Sequence, residues 1–179
     1  MLVRYKFQRL IRPLFSNSRT MSRATILITG PRLPYHVVDY AIGWARDNEG
    51  SLNALFVIPG KMPEEGYPFP NDLDEAEQET TGTDVEKGLV GLVQDEIRFI
   101  EKRCKASHIP VTTEMMFSPS IKKLAAKLDE AEVTFIDKRI EEDKDDMSEL
   151  SFTVDELMEN SAASFISIGE LDKYSDVVL

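Results

Sequence analysis

The sequence predicts an α/β protein built on a five-stranded parallel sheet with helices on both faces. Three observations carry this reading. Short β-branched, apolar runs alternate with helical stretches along most of the chain. Those runs read as continuously apolar rather than alternating, which suits strands covered on both sides. Turn signals such as Gly30-Pro31, Pro59-Gly60 and Ser118-Pro119 stand where the strands end. At 179 residues the chain is long enough to bury one substantial core.

The elements follow in order. Ala24 to Thr29 is the first strand and closes at Gly30-Pro31. A helix runs from about Pro34 to Asp47, since proline suits a first helical position and Val37, Val38, Ala41 and Ala45 line one face. Asn48 to Gly50 stop it, and Ser51 to Ile58 is the second strand. Residues 62–86 hold nine acids, three prolines and no base, the composition of an acidic loop. Val85, Leu89, Val93, Ile97, Ile100 and Cys104 then recur every three or four residues and mark the strongest helix. Gly88 and Gly91 weaken its first turns by roughly 1 kcal/mol each relative to alanine.

Pro110 to Phe117 is the third strand. Ser118 reads as an N-cap with Pro119 at the first helical position, opening a helix whose inner face is Ile121, Leu124, Ala125 and Leu128. Glu132 to Asp137 is the fourth strand and runs into a charged turn, Lys138-Arg139-Ile140-Glu141-Glu142-Asp143. Residues 141–149 form a second acidic loop. Val154, Leu157 and Met158 mark a short helix, and Ser164 to Ile168 is the last strand. The expected organisation is a single domain over 21–179. It is preceded by a segment, 1–20, that reads as a basic tail, a targeting segment or a mis-called start.

Charge narrows the partners. Residues 1–20 carry five bases and no acid, so the remaining 16 bases and 32 acids give the body a balance of −16. So acidic a body repels phosphate backbones, which argues against nucleic acid. The single cysteine, Cys104, excludes an internal disulfide, fits a reducing, cytoplasmic setting, and lies on an apolar helix face as a core residue would. No apolar run approaches the ~20 residues that span a bilayer. Trp44 and Phe99 sit among apolar helical neighbours, as core or subunit-contact residues do.

The chemistry-bearing residues are sparse. His36 and His108 lie on different elements with no cysteine or carboxylate at ligand spacing, so no metal site is expected. The acids Glu141, Glu142, Asp143, Asp145 and Asp146 lack the glycine and ligand spacing of a calcium loop. No nucleophile motif is present and no acid/base pair can be assembled, so no enzyme is expected. In such a sheet a ligand would bind at the carboxyl ends of the strands. That rim offers Gly30, Arg32, Val57, Lys61, Ser118, Lys138 and Arg139. Its cations could hold a small anion; the plainer reading makes them solvated loop ends or partners for nearby acids.

The succession of local patterns resembles the universal stress protein family, within the adenine nucleotide alpha-hydrolase-like superfamily, over roughly Ala24 to Ile168. The pattern rests on Ile26-Leu27-Ile28 before a turn, and on a helix of the type Val38-Asp39-Tyr40-Ala41-Ile42-Gly43-Trp44-Ala45. It continues with Leu52 to Pro59, Ile109-Pro110-Val111 and the small-residue turn Ser118-Pro119-Ser120-Ile121. The resemblance implies a Rossmann-type three-layer sandwich and a role in stress response. Family members that bind ATP place an aspartate just after the first strand and widely spaced glycines after the fourth. Here those positions hold Gly30-Pro31-Arg32 and Lys138 to Asp143, and no glycine occurs between Gly91 and Gly169. Side chains bearing Cβ atoms block close backbone approach, and clustered carboxylates repel a polyphosphate.

The chain is therefore expected to be a divergent member that has lost ATP binding: a non-enzymatic regulatory or scaffold domain without a cofactor. The resemblance also implies a homodimer through the last strand, with Phe165, Ile166, Ser167 and Ile168 at the contact, and the acidic loops are expected to serve a further protein partner. The alternative is a sensor that binds a nucleotide or small anion at the strand rim; a hydrolase acting on such a nucleotide is the weakest reading.

Overall fold

The computed structural model describes residues 21–30, 33–60, 83–142 and 152–170. The basic segment 1–20, most of both acidic loops, Arg32 and Lys61 lie outside them. The described elements run β1 (Arg23–Thr29), α1 (Tyr35–Asp47), β2 (Ser51–Ile58), α2 (Thr83–Ala106), β3 (Val111–Phe117), α3 (Ile121–Leu128), β4 (Val133–Asp137), α4 (Lys138–Glu142), α5 (Val154–Asn160) and β5 (Ser164–Ile168). Every pairing is parallel and the sheet order is β3-β2-β1-β4-β5. Connections therefore run outward from β1 in two opposite directions. The crevice between the carboxyl ends of β1 and β4 is the point where the order reverses, and there such sheets bind ligands.

Alternate residues of the central strands feed two cores. Ala24, Ile26 and Ile28 of β1 pack with Val37, Val38, Ala41 and Trp44 of α1 and with Val93, Ile100 and Cys104 of α2. Leu27, Leu55 and Val57 face the other way, onto Leu124 and Leu128 of α3, Ile140 of α4 and Leu157 of α5. Phe135 anchors the first core, in edge-on contact with Tyr40 at 5.5 Å and Trp44 at 5.9 Å between ring centres. Burial on both faces holds for β1, β2 and β4. It does not hold for β3 or β5, which are the sheet edges and stay partly exposed along their length.

The ends of α1 show why these residues stop the helix. Asn48 returns its side-chain amide to the Trp44 carbonyl at 2.8 Å, and the Gly50 amide bonds to Ala45 at 2.8 Å. A Cβ on Gly50 would stand 2.6 Å from the Ser22 carbonyl, so only glycine lets the chain pass from helix to strand there. At α5 the cap is Thr153, whose hydroxyl takes the Glu156 amide while Glu156 returns to the Thr153 amide.

Three expectations are corrected. The acidic loop expected over 62–86 ends sooner, because α2 already begins at Thr83. The helix expected to open at Ser118-Pro119 opens two residues later. Its cap is Ser120, extended at φ −66° and ψ 151°, with its hydroxyl accepting from the Lys123 amide. The charged turn expected after the fourth strand is a helical turn, α4.

Candidate functional site

Asp137 explains why β4 runs straight into α4. Its Oδ1 accepts the backbone N–H of Arg139 at 2.9 Å, satisfying an amide that a helix start leaves orphaned. Ile140 then turns into the core below, where it is 6% exposed, and fixes the helix from the other side. Lys138 and Arg139, just before Ile140, are exposed and build the rim.

The Asp137 carboxylate is the centre of this rim. The residue is 5% exposed, yet its carboxylate has a basic side chain on each side. Arg139 donates to Oδ2 from Nε at 3.0 Å and from Nη2 at 2.6 Å, a forked, charge-assisted contact. The second Nη of Arg139 lies 3.2 Å from Glu170 Oε1, just beyond β5. On the opposite side His36 Nε2, from the first turn of α1, stands 3.6 Å from Asp137 Oδ1 and 3.2 Å from the Ile168 carbonyl. Both neighbours of that nitrogen are oxygen acceptors, so Nε2 carries the proton. Burial pushes the Asp137 pKa up, but the hydrogen bonds from Arg139 and the positive charge nearby outweigh it and hold the carboxyl below its ordinary value.

Across β1 the ends of β2 and β3 are closed by neutral hydrogen bonds. Gly30 has φ +74° and donates to the Val57 carbonyl at 3.4 Å. Ser118 has φ +33°, its amide bonds to Ile58 at 2.8 Å, and its hydroxyl accepts the Gly60 amide at 2.8 Å. Glu96 of α2 reaches the same rim, where Oε1 accepts the Leu33 amide at 3.0 Å. Its other oxygen is buried without a partner among the described residues. Burial raises the Glu96 pKa, with the Leu33 bond acting in the opposite sense.

The residues expected at the rim thus fall into three groups. Lys138 and Arg139 stand together at the end of β4, and Arg139 is committed to carboxylates on both sides. Gly30 and Ser118 stand at the ends of β1 and β3, while the Val57 side chain is fully buried in the core and presents nothing to the rim. Arg32 and Lys61 lie outside the described residues. Of the expected contact residues, Phe165 and Ile166 are half-buried on the edge strand, Ser167 is likewise partly covered, and Ile168 is fully buried.

Sequence reasoning missed His36, Asp137 and Glu170. Asp137 carried a local signal, an aspartate at the last strand position before a helix-forming run. His36 carried none, because its carboxylate partner comes from another element altogether. Among the described residues no hydroxyl, thiol or amine hydrogen-bonds to His36. Cys104 lies elsewhere, fully buried, its thiol pushed up to about 11 by burial. No group of three or more metal-ligating side chains occurs among the described residues. A shallow depression of about 220 Å³ lies at the opposite end of the sheet, between Met21, Arg23, Leu52 and Pro110.

No protein-family model matches the sequence, and no curated protein does. Solved structures do match the fold. A protein of the universal stress protein family from Burkholderia pseudomallei superposes with a TM-score of 0.54 at 11% identity, over 84% of this chain and 98% of that one. The universal stress protein UspA of Lactobacillus plantarum gives 0.54 at 14% identity, over 82% and 97%. A universal stress protein solved in complex with cAMP gives 0.51 at 12% identity, over 82% and 96%. The chain has the universal stress protein fold, and the resemblance read from the sequence holds at that level.

Proposed function

We propose that this chain is a non-enzymatic regulatory or scaffold domain of the universal-stress-protein type that acts in the cytoplasm, pairs with a second copy through β5, and does not bind ATP. The observation that carries this reading is the start of α4. Where a phosphate cradle needs open backbone, the chain has a helical turn of Cβ-bearing residues whose arginine is neutralised by Asp137 and Glu170. A triphosphate would have to displace two carboxylates and then face the acids that follow. The pairing surface rests on β5 being an edge strand with half-buried Phe165 and Ile166.

Thermal-shift measurements with ATP, AMP and inorganic phosphate test the site. A ligand at 100 times its dissociation constant adds about 2.7 kcal/mol of stability, and none of the three is expected to. A saturable shift with ATP would overturn the reading. Light scattering tests the assembly: the wild type should be dimeric and Phe165→Asp or Ile166→Lys monomeric, and a monomeric wild type ends that part of the proposal.

The second reading is a sensor for a nucleotide or small anion at the same rim. It is favoured by the structural neighbour solved with cAMP and by the adjacent Lys138 and Arg139. A shift with AMP or phosphate that charge reversal at Lys138 removes would establish it.

A further inference from the structure

We propose that His36, Asp137, Arg139 and Glu170 form a salt-sensitive clamp on the exit of β5, so that ionic conditions set how firmly the edge strand is held. The idea concerns the regulation of the pairing edge, and to that extent it rests on the reading of β5 given above. Edge position and length make β5 the least secured strand. It has five residues, pairs among the described residues only with β4, and is mostly half-exposed. Its end is held by the buried Ile168 side chain and by a polar network around Asp137. Ile168 lies in register with Asp137, its carbonyl takes the His36 proton, and Glu170, two residues on, binds Arg139. Asp137 joins the two halves, because it contacts both His36 and Arg139.

The clamp has an inner and an outer link, and they differ in solvent access. The His36 and Asp137 side chains are 15% and 7% exposed, so salt screens their contact little. Those of Arg139 and Glu170 are 50% and 67% exposed, so added salt weakens theirs. The strand exit is therefore fastened by one link that salt leaves closed and one that salt opens. A purely apolar edge would show no such dependence, since burial is, if anything, strengthened by excluded salts.

Hydrogen exchange of the full chain tests this, with β5 amides compared against those of β1 and β2. Raising NaCl from about 50 mM to about 0.5 M should speed β5 exchange about two- to fivefold in the wild type and leave β1 and β2 unchanged. Glu170→Gln should begin at the faster rate and lose the salt response. Asp137→Asn, which removes the charge that joins His36 to Arg139, should speed β5 about tenfold or more. Repeating the series at several protein concentrations separates the clamp from dimerisation, because pairing protects β5 in proportion to concentration and the clamp does not. No salt effect on β5, or a salt effect that survives Glu170→Gln, overturns the clamp. A clamp seen equally at every concentration, in a chain that light scattering finds monomeric, would leave it standing while removing the dimer.

Discussion

The exits of β2 and β3 are closed by neutral hydrogen bonds, whereas those of β4 and β5 are closed by ions. On the first side Ser118 accepts a backbone amide from Gly60 and donates its own amide to Ile58, with positive φ at both residues. On the second side a buried carboxylate gathers a histidine, an arginine and, through that arginine, a second acid. The neutral closure is insensitive to salt and to mild acid. The ionic one has to repay the desolvation of Asp137 with well-placed partners, so it loses most when a partner is lost. Two ends of one rim thus have different vulnerabilities, and the ionic end is the one adjoining the edge strand.

Mutations rank the two closures against the core behind them. Phe135→Ala removes the ring that Tyr40 and Trp44 pack on and should cost about 3–5 kcal/mol in urea denaturation, the largest effect expected. Asp137→Ala should follow at about 2–3 kcal/mol, since it strips a charge-assisted bond and the α4 cap together. A loss under about 0.5 kcal/mol would mean that water replaces Asp137 without penalty, and the ionic closure would be no different from the neutral one. Ser118→Ala should cost about 1 kcal/mol by removing the acceptor for Gly60. Ser118→Gly should cost less, because relief of the positive φ offsets the same lost bond.

Acid sharpens the contrast, because the two rim carboxylates respond in opposite senses. The folded pKa of Asp137 is lowered, so its stabilisation is present above the unfolded value near ~4 and is lost as pH falls through the folded one. The folded pKa of Glu96 is raised, so its contribution is full below the unfolded value and is lost as pH rises through the folded one. Urea midpoints against pH should therefore fall in acid for the wild type and fall less for Asp137→Asn. Glu96→Gln is the smallest effect: a slight gain at neutral pH that disappears in acid, where the wild-type carboxyl is already protonated. A loss at neutral pH would show that the unpartnered oxygen has a partner in solution.

The fold was legible because its signals are local. β2 and β5 occupy the residues their apolar runs marked, and α1 lies within one residue of the span set by Pro34 and Asn48. The candidate site was legible only at its backbone positions, Gly30 and Ser118, and at its exposed cations. Two serines flank Pro119, and composition does not say which one caps the helix. The choice follows from the Gly60 amide, which occupies Ser118 and leaves Ser120 extended and free to cap. Glycine spacing likewise spoke against a phosphate cradle, but not for the helical turn that stands in its place.

What the sequence by itself determined was the alternation of strand and helix, the two apolar faces of the sheet and the absence of glycine between β4 and β5. These are properties of neighbours in the chain, set by side-chain period and backbone preference. Only the tertiary structure decided that a histidine of α1, an aspartate of β4 and a glutamate beyond β5 share one charge network. Those residues meet because strand order sets β4 beside β1 and β5 beside β4, and the strength of their attraction depends on a burial that no local pattern encodes.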